Sequence, residues 1–270
     1  MGIDAKISIT TACGARCATC PSWQREPKVM GLDDFETVFK KLCDAPIVSR
    51  ILINGTGDIT AIDGWHDYFD IMAKHKNKPL IMTTNGAYLD MVPDCLDELI
   101  ISFNGGTPET YKESTGLDFN EVAAKIRALY PQFWKLKNLE MHCLIWKENE
   151  NTEEEFVEYW RDFPGALRVS WKCDNQGGDY FGTMRGMDGI RIPCSYLSSL
   201  NIEHDGRVSA CCHDWEGKTD FGNLLNDSVG EVWRSPEREK MVAQHYQGKY
   251  SGICEHCNFN VRAEGKFAYI

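Results

Sequence analysis

The sequence predicts an α/β fold, in which a partial (β/α)6 barrel of the TIM type precedes a small cysteine-rich α+β domain. Two observations predict it. Over roughly the first 175 residues, short apolar runs alternate with helical patterns, and cysteines crowd roughly the last eighty. Such alternation indicates parallel strands joined by right-handed crossovers. We expect the barrel to span residues 1–180 and the cysteine-rich domain, a β-hairpin plus a helix, to span residues 181–270.

Six strands are predicted, each separated from the next by a helix. The first, AKISIT, alternates apolar and polar residues and ends just before Cys13. The helix and strand pairs that follow are GLDDFETVFKKLCDA with ILIN, WHDYFDIMAKH with PLIMTTN, a short helix VPDCLDE with LIISFN, FNEVAAKIRALY with LEMHCLIW, and TEEEFVEYWRDF with LRVSWK. No G-x-G-x-x-G motif follows the first strand, so a barrel fits better than a nucleotide-binding sheet.

Composition excludes several classes of protein. The chain has 270 residues, 43% of them hydrophobic, and a net charge of −11 with scattered Lys and Arg, which argues against nucleic acid as the main partner. No apolar run approaches the roughly 20 residues of a membrane span, and MGIDAKISIT lacks the pattern of a signal peptide. We therefore expect a cytoplasmic protein with no membrane partner. In that reducing compartment, twelve cysteines indicate metal or redox chemistry rather than disulfides.

The cysteines divide by their spacing. Four are isolated among apolar or helical neighbours, as is typical of small buried side chains: Cys43, Cys95, Cys143 and Cys173. Three form a C-x3-C-x2-C motif near the N-terminus: Cys13, Cys17 and Cys20. Five lie near the C-terminus and end in CEHC: Cys194, Cys211, Cys212, Cys254 and Cys257.

Polar segments follow successive predicted strands, and the carboxyl ends of barrel strands are where the chemistry of such folds lies. The first strand is followed by the cysteine trio. The later segments are NGTGD at 54–58, TTNG at 83–86, SFNGG at 102–106 and KCDNQGG at 172–178. Each Gly or Asn taken alone is a common turn residue. Their occurrence on successive strand ends indicates a ligand site.

Three thiolates so close together suit a cubane cluster. They can bind three irons of a [4Fe–4S] cluster and leave the fourth iron open to a ligand from outside the protein. A structural zinc ion would require four protein ligands, and a thioredoxin-like redox pair would leave the third cysteine without a role. The spacing therefore favours a cluster with one open iron.

The motif CGARCATC resembles the cluster motif of the radical S-adenosylmethionine (SAM) superfamily. NGTGD is similar to the glycine-rich segment of that family, TTNG to its Thr-Asn-Gly segment, and SFNGGTPETYKESTG to its fourth strand and the helix after it. The resemblance implies that Cys13, Cys17 and Cys20 bind a [4Fe–4S] cluster whose open iron chelates SAM. It implies five cofactor-binding residues: Gly57, Asp58, Thr84, Asn85 and Ser102.

Two residues depart from the family's pattern. Asp58 stands where Glu is commoner, so its carboxylate reaches one methylene less far. Thr19 precedes the third cysteine, where many members carry an aromatic residue near the adenine. Both departures affect the expected contacts with the cofactor rather than the expected cluster ligands.

The C-terminal segment resembles the twitch domain, a shortened relative of the SPASM domain that carries an auxiliary cluster. LNIEHDGRVSACC predicts a hairpin that turns at Asp205-Gly206, and VGEVWRSPEREKMVAQ predicts a helix. The resemblance implies a second [4Fe–4S] cluster with four ligands: Cys194, Cys211, Cys254 and Cys257. The Gly-x4-Cys spacing favours Cys211 over Cys212, because adjacent strand residues face opposite ways and only one can point at the cluster. A zinc ribbon is the alternative.

The resemblance also implies a reaction. Members of the family receive an electron from a donor such as flavodoxin or ferredoxin and cleave SAM to a 5′-deoxyadenosyl radical, which takes a hydrogen atom from the substrate. A second cluster with four cysteine ligands cannot chelate substrate, and most naturally accepts an electron. We therefore expect a two-electron oxidation of a small polar substrate, such as an aminocyclitol or sugar alcohol, as in 2-deoxy-scyllo-inosamine dehydrogenase-like members.

Two other functions remain open. A maturase would cross-link or epimerise a ribosomal peptide, but many such enzymes carry a separate leader-recognition domain, and here the first strand begins at about residue 5. A non-enzymatic iron-sulfur or zinc scaffold would leave NGTGD and TTNG without a purpose.

A polar substrate would lie between the two clusters, near the end of the sixth strand. Lys172 and Arg185 are the candidate catalytic residues there. Arg185 could instead pair with Asp179 in a solvated linker.

Overall fold

The computed structural model describes residues 2–146, 152–171, 190–214, 216–257, 259 and 261–262. In the described residues up to 171, we distinguish six strands and five α-helices. The strands are β1 Ile3–Ile7, β2 Val48–Ile53, β3 Leu80–Thr84, β4 Glu98–Ser102, β5 Asn138–Ile145 and β6 Ala166–Trp171. The helices are α1 Leu32–Asp44, α2 Trp65–His75, α3 Pro108–Thr115, α4 Phe119–Ala128 and α5 Thr152–Tyr159. Within the described ranges, no helix has the length and apolar character needed to cross a membrane.

The C-terminal part contains a hairpin and two helices. Its elements are β7 Ile190–Arg191, β8 Ser199–Ile202, β9 Val208–Ser209, α6 Val229–Trp233, α7 Pro236–Tyr246 and β10 Val261–Arg262. β8 and β9 pair antiparallel, and Gly206 has a φ of 80°, a left-handed conformation that favours glycine. The predicted hairpin at Asp205-Gly206 is therefore confirmed. β7 pairs antiparallel with β10.

Among the described residues, eight strands form one sheet in the order β6-β5-β4-β3-β2-β1-β8-β9. β1 to β6 are parallel to their neighbours, as predicted for a partial TIM-type barrel, and this fold class is confirmed. β8 adds to the other side of β1, also in parallel, with Lys6 opposite Asn201. The C-terminal hairpin therefore extends the barrel sheet. The expected boundary between residues 180 and 181 lies outside the described residues and stays a prediction.

Alternate residues of the strands face opposite sides of the sheet, as the period of a strand requires. One face of the sheet packs into the hydrophobic core under the helices. The fully buried residues on this face include Ile7 on β1 and both Met141 and Cys143 on β5. Isolated Cys43 is buried in the same core, whereas Cys95 is half-buried beside it. The opposite face, which we call the lumen face, carries the residues between them, such as Lys6 and His142.

Helix α1 shows how the sequence pattern becomes packing. Its apolar residues recur at helical spacing, and Phe35, Phe39 and Leu42 are fully buried. The ring of Phe35 meets the edge of Tyr68 on α2 with centroids 5.2 Å apart. Removing the Phe35 ring would cost about 3–5 kcal/mol of stability, as is usual for a large side chain truncated in a core.

The predicted short helix VPDCLDE is wrong, since residues 91–97 form turns instead. Asp97 explains this. Its backbone N–H donates to the carbonyl of Leu80, and its carboxylate accepts from the N–H of Leu80 at 2.8 Å. The same carboxylate pairs with Lys76 at 2.5 Å and Lys137 at 2.8 Å. Burial opposes ionisation, but the two lysines lower the pKa of Asp97 to about 2. These distant partners hold the segment in its non-helical conformation.

Helix α3 is the helix that the resemblance implied after the fourth strand. It begins with Pro108 in the first turn, and the side chain of Thr107 accepts from the N–H of Thr110 to form a capping box. Gly116 ends it with a φ of 73°. The C-terminal end of α3 then supports the cysteine motif.

Candidate functional site

A cavity of about 180 Å³ opens at the carboxyl ends of β1 to β4. All eight residues that the sequence predicted for the first site line it: Cys13, Cys17, Cys20, Gly57, Asp58, Thr84, Asn85 and Ser102. Other lining residues were not selected from the sequence, among them Trp23, Asn54, Thr56, Thr83 and Asn104. Most of these belong to the polar segments that follow the strands, and that position is the signal that could have identified them.

The cysteine loop is attached to α3 by backbone hydrogen bonds. The N–H of Arg16 donates to the carbonyl of Thr115 at 2.7 Å, and the N–H of Ala18 donates to the carbonyl of Ser114 at 3.0 Å. These last carbonyls of a helix have no partner within it, so the loop satisfies them. The helix therefore positions the loop that carries the three thiols.

Cys13 is half-buried and lies beside polar groups. Burial, and next the nearby carboxylate of Asp58, raise the pKa of Cys13 to about 12. The side-chain amide of Asn85 lies 3.5 Å from the Cys13 sulfur and is oriented to donate to it. A thiol in such a setting ionises only with a cationic partner, and a bound metal provides one. The donor set therefore fits a metal cluster.

The described residues contain no group of three or more His, Cys, Asp or Glu side chains arranged to hold a metal ion. The assignment of the individual cysteines as cluster ligands stays a prediction.

The glycine-rich segment lies against the loop after β1. A Cβ atom at Gly57 would come within 2.4 Å of the carbonyl oxygen of Thr10 and 2.5 Å of that of Ala12. The N–H of Asp58 donates to the carbonyl of Ala12 at 2.8 Å. Only glycine fits here, so the backbone itself forms the cavity wall. This wall suits a ligand that contacts main-chain groups.

Asp58 is a buried hydrogen-bond centre, with 4% of its surface exposed. Its carboxylate accepts from the N–H of Thr60 at 3.0 Å, the hydroxyl of Thr60 at 2.8 Å and the hydroxyl of Thr84 at 2.9 Å. The N–H of Asn85 donates to it at 2.8 Å. The carboxylate thus joins the loop after β2 to the loop after β3. The shorter side chain suits this internal role, which positions Thr84 and Asn85.

The two other polar candidates are held by their own loops. The side-chain oxygen of Asn85 accepts from the N–H of Ala87 at 2.9 Å. The hydroxyl of Ser102 lies 3.4 Å from the side-chain oxygen of Asn104, which also accepts from the N–H of Leu144 at 2.9 Å. Asn104 therefore connects β4 with β5 at the cavity rim. Each candidate side chain has a defined orientation.

The C-terminal cysteines also come together. The pKa of Cys254 is raised to about 12 by burial and by the neighbouring Cys257 and Cys194. The pKa of Cys211 is raised by burial, by Cys212, and by Cys254 and Cys194. Mutual interactions thus connect all four predicted ligands of the second cluster. A cluster of this kind would relieve the unfavourable burial, because its irons stabilise thiolates.

Cys212 has different neighbours from Cys211. Burial opposes ionisation of its thiol, but His213, Lys6 and a hydrogen bond with Tyr196 favour the thiolate, and its pKa is lowered to about 7. Lys6 lies on β1, with its ammonium 4.4 Å from the centre of the Tyr196 ring. The two adjacent cysteines, which follow the end of β9 at Ser209, therefore meet different groups. The choice of Cys211 rather than Cys212 as the fourth ligand stays a prediction.

Arg191 organises the closing C-x2-C motif. Its guanidinium donates to the carbonyls of Cys254, Glu255 at 2.9 Å and Cys257 at 2.8 Å, and lies 3.7 Å from the centre of the Tyr250 ring. The sequence analysis did not identify this residue, since no local pattern links it to a motif more than sixty positions away.

The two candidate catalytic residues, Lys172 and Arg185, lie outside the described residues, as does isolated Cys173. Their roles stay predictions.

A family match covers the C-terminal part of the chain. The SPASM family, described as an iron-sulfur cluster-binding domain, matches residues 194–258. This range includes all five C-terminal cysteines. The C-terminal domain expected from the sequence is therefore confirmed as SPASM-type.

The fold is similar to those of several solved structures. BtrN in complex with AdoMet and 2-DOIA is 16% identical, with a TM-score of 0.62 over 100% of this chain and 98% of that chain. Streptococcus suis SuiB bound to the precursor peptide SuiA is 12% identical, with a TM-score of 0.69 over 88% and 66%. The protein anSMEcpe with bound AdoMet is 14% identical, with a TM-score of 0.68 over 91% and 84%. At these identities the likeness establishes the fold.

One sequence relative matches about half of the chain. An uncharacterized protein of Treponema pallidum (strain Nichols) is 26% identical over 151 residues, which are 54% of this chain and 38% of the relative. The chain thus matches well under half of that protein's length. The C-terminal family match thus confirms the SPASM-type resemblance over residues 194–258, and the fold agrees with the barrel that the N-terminal motifs implied.

Proposed function

We infer that this chain is a radical SAM enzyme with a C-terminal SPASM-type domain, and we propose that it oxidises a small polar substrate by two electrons. One observation carries the proposal: a single cavity brings the three N-terminal cysteines together with the Gly-rich, Thr-Asn-Gly and Ser102 segments. A structural zinc site would not require those segments, since it is closed by its four protein ligands.

Cys13, Cys17 and Cys20 would hold the first [4Fe–4S] cluster, with SAM beside it. Once bound and reduced, this pair supplies a 5′-deoxyadenosyl radical. The backbone at Gly57, together with Thr84, Asn85 and Ser102, would hold the cofactor in position. Asp58 keeps Thr84 and Asn85 in place through its buried carboxylate. The protein thus supplies binding and orientation, as is usual for cofactor chemistry.

Cys194, Cys211, Cys254 and Cys257 would hold the second cluster with no iron left open. The oxidation of an alcohol carbon to a ketone then balances as follows. The carbon would give up a hydrogen atom to the radical, the hydroxyl would give up a proton to a basic group, and the second cluster would supply the acceptor for the remaining electron. An external donor, such as flavodoxin or ferredoxin, would reduce the first cluster. These thiolate sites suit a reducing compartment, so we propose a cytoplasmic location.

Peptide modification is the second candidate. SuiB has been solved with the precursor peptide SuiA, and anSMEcpe with the Cp18Cys peptide, whereas BtrN has been solved with 2-DOIA. The likeness to BtrN spans 100% of this chain and 98% of that chain, and it favours a small substrate.

Replacing Cys13, Cys17 and Cys20 together by Ala tests the proposal. Anaerobically reconstituted wild-type protein should hold about eight irons, and the variant about half of them, by the number of cysteine ligands. The variant should form no 5′-deoxyadenosine from SAM and dithionite, because its first cluster is missing. The matched control is Cys43→Ala, which removes a thiol from the core far from the motif, and should keep iron and cleavage. Cleavage of SAM by the triple variant would rule out radical SAM chemistry at this site.

A further inference from the structure

The lumen face continues beyond the cavity onto β5 and β6. In the sheet register, Ser102 on β4 lies opposite His142 on β5, which lies opposite Arg168 on β6. The N–H of Phe103 donates to the carbonyl of His142 at 2.8 Å and holds these strands together. Because Ser102 lines the cavity, His142 lies one strand, about 5 Å, beyond the cavity wall.

The face on which His142 lies follows from the strand's alternation. Its neighbours Met141 and Cys143 are fully buried in the core, so His142 points to the lumen side, as Ser102 does on β4. Packing of the core therefore does not require a histidine at this position. A polar side chain here lies on the same face of the sheet as Ser102, which lines the cavity.

His142 is paired with a hydroxyl group. Its Nε2 lies 2.6 Å from the Oγ of Ser170 on β6, a normal hydrogen-bond distance. Burial, and next the positive charge of Arg168, lower the pKa of His142 to about 4. The imidazole is thus uncharged at neutral pH. Both members of the pair can donate or accept a hydrogen bond.

The charged groups near the pair are few among the described residues of this face. Arg168 lies on β6 and pairs with Glu140, which precedes His142 by two positions on β5, at 3.7 Å. β4 presents the neutral Ser102 beside His142. The His142-Ser170 pair therefore lies beside the ion pair of Arg168 and Glu140 and beside the uncharged side chain of Ser102.

We propose that His142 and Ser170 form a substrate subsite that binds a hydroxyl group of a small polyhydroxylated molecule, such as a cyclitol or sugar. This proposal rests on the proposed function, since it places the substrate beside the SAM cavity. A hydroxyl both donates and accepts, which matches an uncharged His-Ser pair. An apolar peptide side chain at the same place would leave the remaining donor and acceptor positions of the pair unused, at a cost in binding. A substrate carboxylate would gain no charged partner from the pair itself.

The test uses the reconstituted holoprotein with histidine labelled at Cε1 and three probes: 2-deoxy-scyllo-inosamine, myo-inositol and glucosamine. Two variants, His142→Asn and Ser170→Ala, are compared with a control, His66→Asn, whose ring is exposed and pairs with Asp90 on the outside. Iron content should be unchanged in all three, and background 5′-deoxyadenosine formation should be unchanged in the control His66→Asn. At least one probe should shift the His142 resonance, and its dissociation constant should rise about tenfold in both variants, as loss of uncharged hydrogen bonds predicts.

Two results would overturn the subsite. In one, no probe shifts the His142 resonance of a holoprotein that still cleaves SAM. In the other, a probe binds equally well to wild type and to both variants. Failure of the proposed function would look different: the holoprotein would hold its iron and cleave no SAM at all. Binding to the His142-Ser170 pair is measured from the His142 resonance and does not depend on turnover.

Discussion

The two cysteine sites are held in different ways, although they use the same ligand type. At the N-terminal site, the buried Asp58 carboxylate joins two loops around a cavity, and the thiols share that cavity with polar side chains and backbone. At the C-terminal site, Arg191 binds three carbonyls of the closing motif, and the buried thiols of the four predicted ligands lie near one another. The first arrangement leaves room for a further ligand. The four predicted ligands of the second site would complete a cluster by themselves.

The difference suggests a division of labour. A site with three thiols and a polar cavity can bind a reactant at its metal, whereas a site with four thiols can only pass electrons. Cys212, the extra thiol beside the second site, interacts with His213, Lys6 and Tyr196. The following changes test this comparison, from the largest expected effect to the smallest.

Removing the second site should abolish product and spare cleavage. The double variant Cys254→Ala, Cys257→Ala should hold about half of the wild-type iron and still form 5′-deoxyadenosine slowly. It should release no oxidised product, because a substrate radical without an electron acceptor is quenched or decays. Iron analysis and mass spectrometry measure both. Circular dichroism must show a folded protein, since cluster loss can unfold a small domain.

Single variants serve as the control for that experiment. Cys211→Ala should behave like the double variant, whereas Cys212→Ala should keep its iron. An oxidised product from a folded double variant would contradict the electron-acceptor role. Equal iron loss in both single variants would contradict the separation of the adjacent cysteines.

Removing the Asp58 carboxylate should weaken the first site without emptying it. Asp58→Ala leaves the buried donors of Thr60, Thr84 and Asn85 without their acceptor, which should lower the free energy of unfolding by roughly 3 kcal/mol. SAM should bind more weakly because Thr84 and Asn85 lose their orientation, while the iron content stays unchanged. Denaturant unfolding and equilibrium dialysis with SAM measure these effects. The exposed Asp63→Ala should change neither, and iron loss in Asp58→Ala would show a role in holding the cluster.

Asp97 gives the smallest expected effect, on stability alone. Its pKa is lowered to about 2 in the folded protein, so its stabilising effect is present above its ordinary pKa near 4 and is lost as the pH falls towards 2. Asp97→Asn should therefore be less stable by roughly 2 kcal/mol at neutral pH, with the gap closing between about pH 4 and 2. Urea unfolding at several pH values measures this gap. The exposed Asp94→Asn is the control, and a gap that does not depend on pH would contradict the ion-pair account.

Local patterns predicted much of this fold. The limits of α2 and the turn of the β8-β9 hairpin follow from helical spacing and from Asp205-Gly206. The polar segments after the strands predicted the cavity, because parallel strands bring their carboxyl ends together.

Long-range contacts account for what the patterns did not show. The apolar spacing of VPDCLDE favours a helix, but Asp97 binds Leu80, Lys76 and Lys137, which lie far from it in sequence. The internal role of Asp58 and the clamp formed by Arg191 likewise depend on partners that only folding brings near.

The central claim is that the first site has an open iron and the second has none. Electron paramagnetic resonance of the reduced clusters, with and without SAM, tests it most directly in two reconstituted variants. In the variant with Cys254 and Cys257 replaced by Ala, SAM should change the spectrum of the remaining N-terminal cluster. In the variant with Cys13, Cys17 and Cys20 replaced by Ala, SAM should leave the spectrum of the remaining C-terminal cluster unchanged. The opposite pattern, or a SAM-induced change in both, would contradict the account.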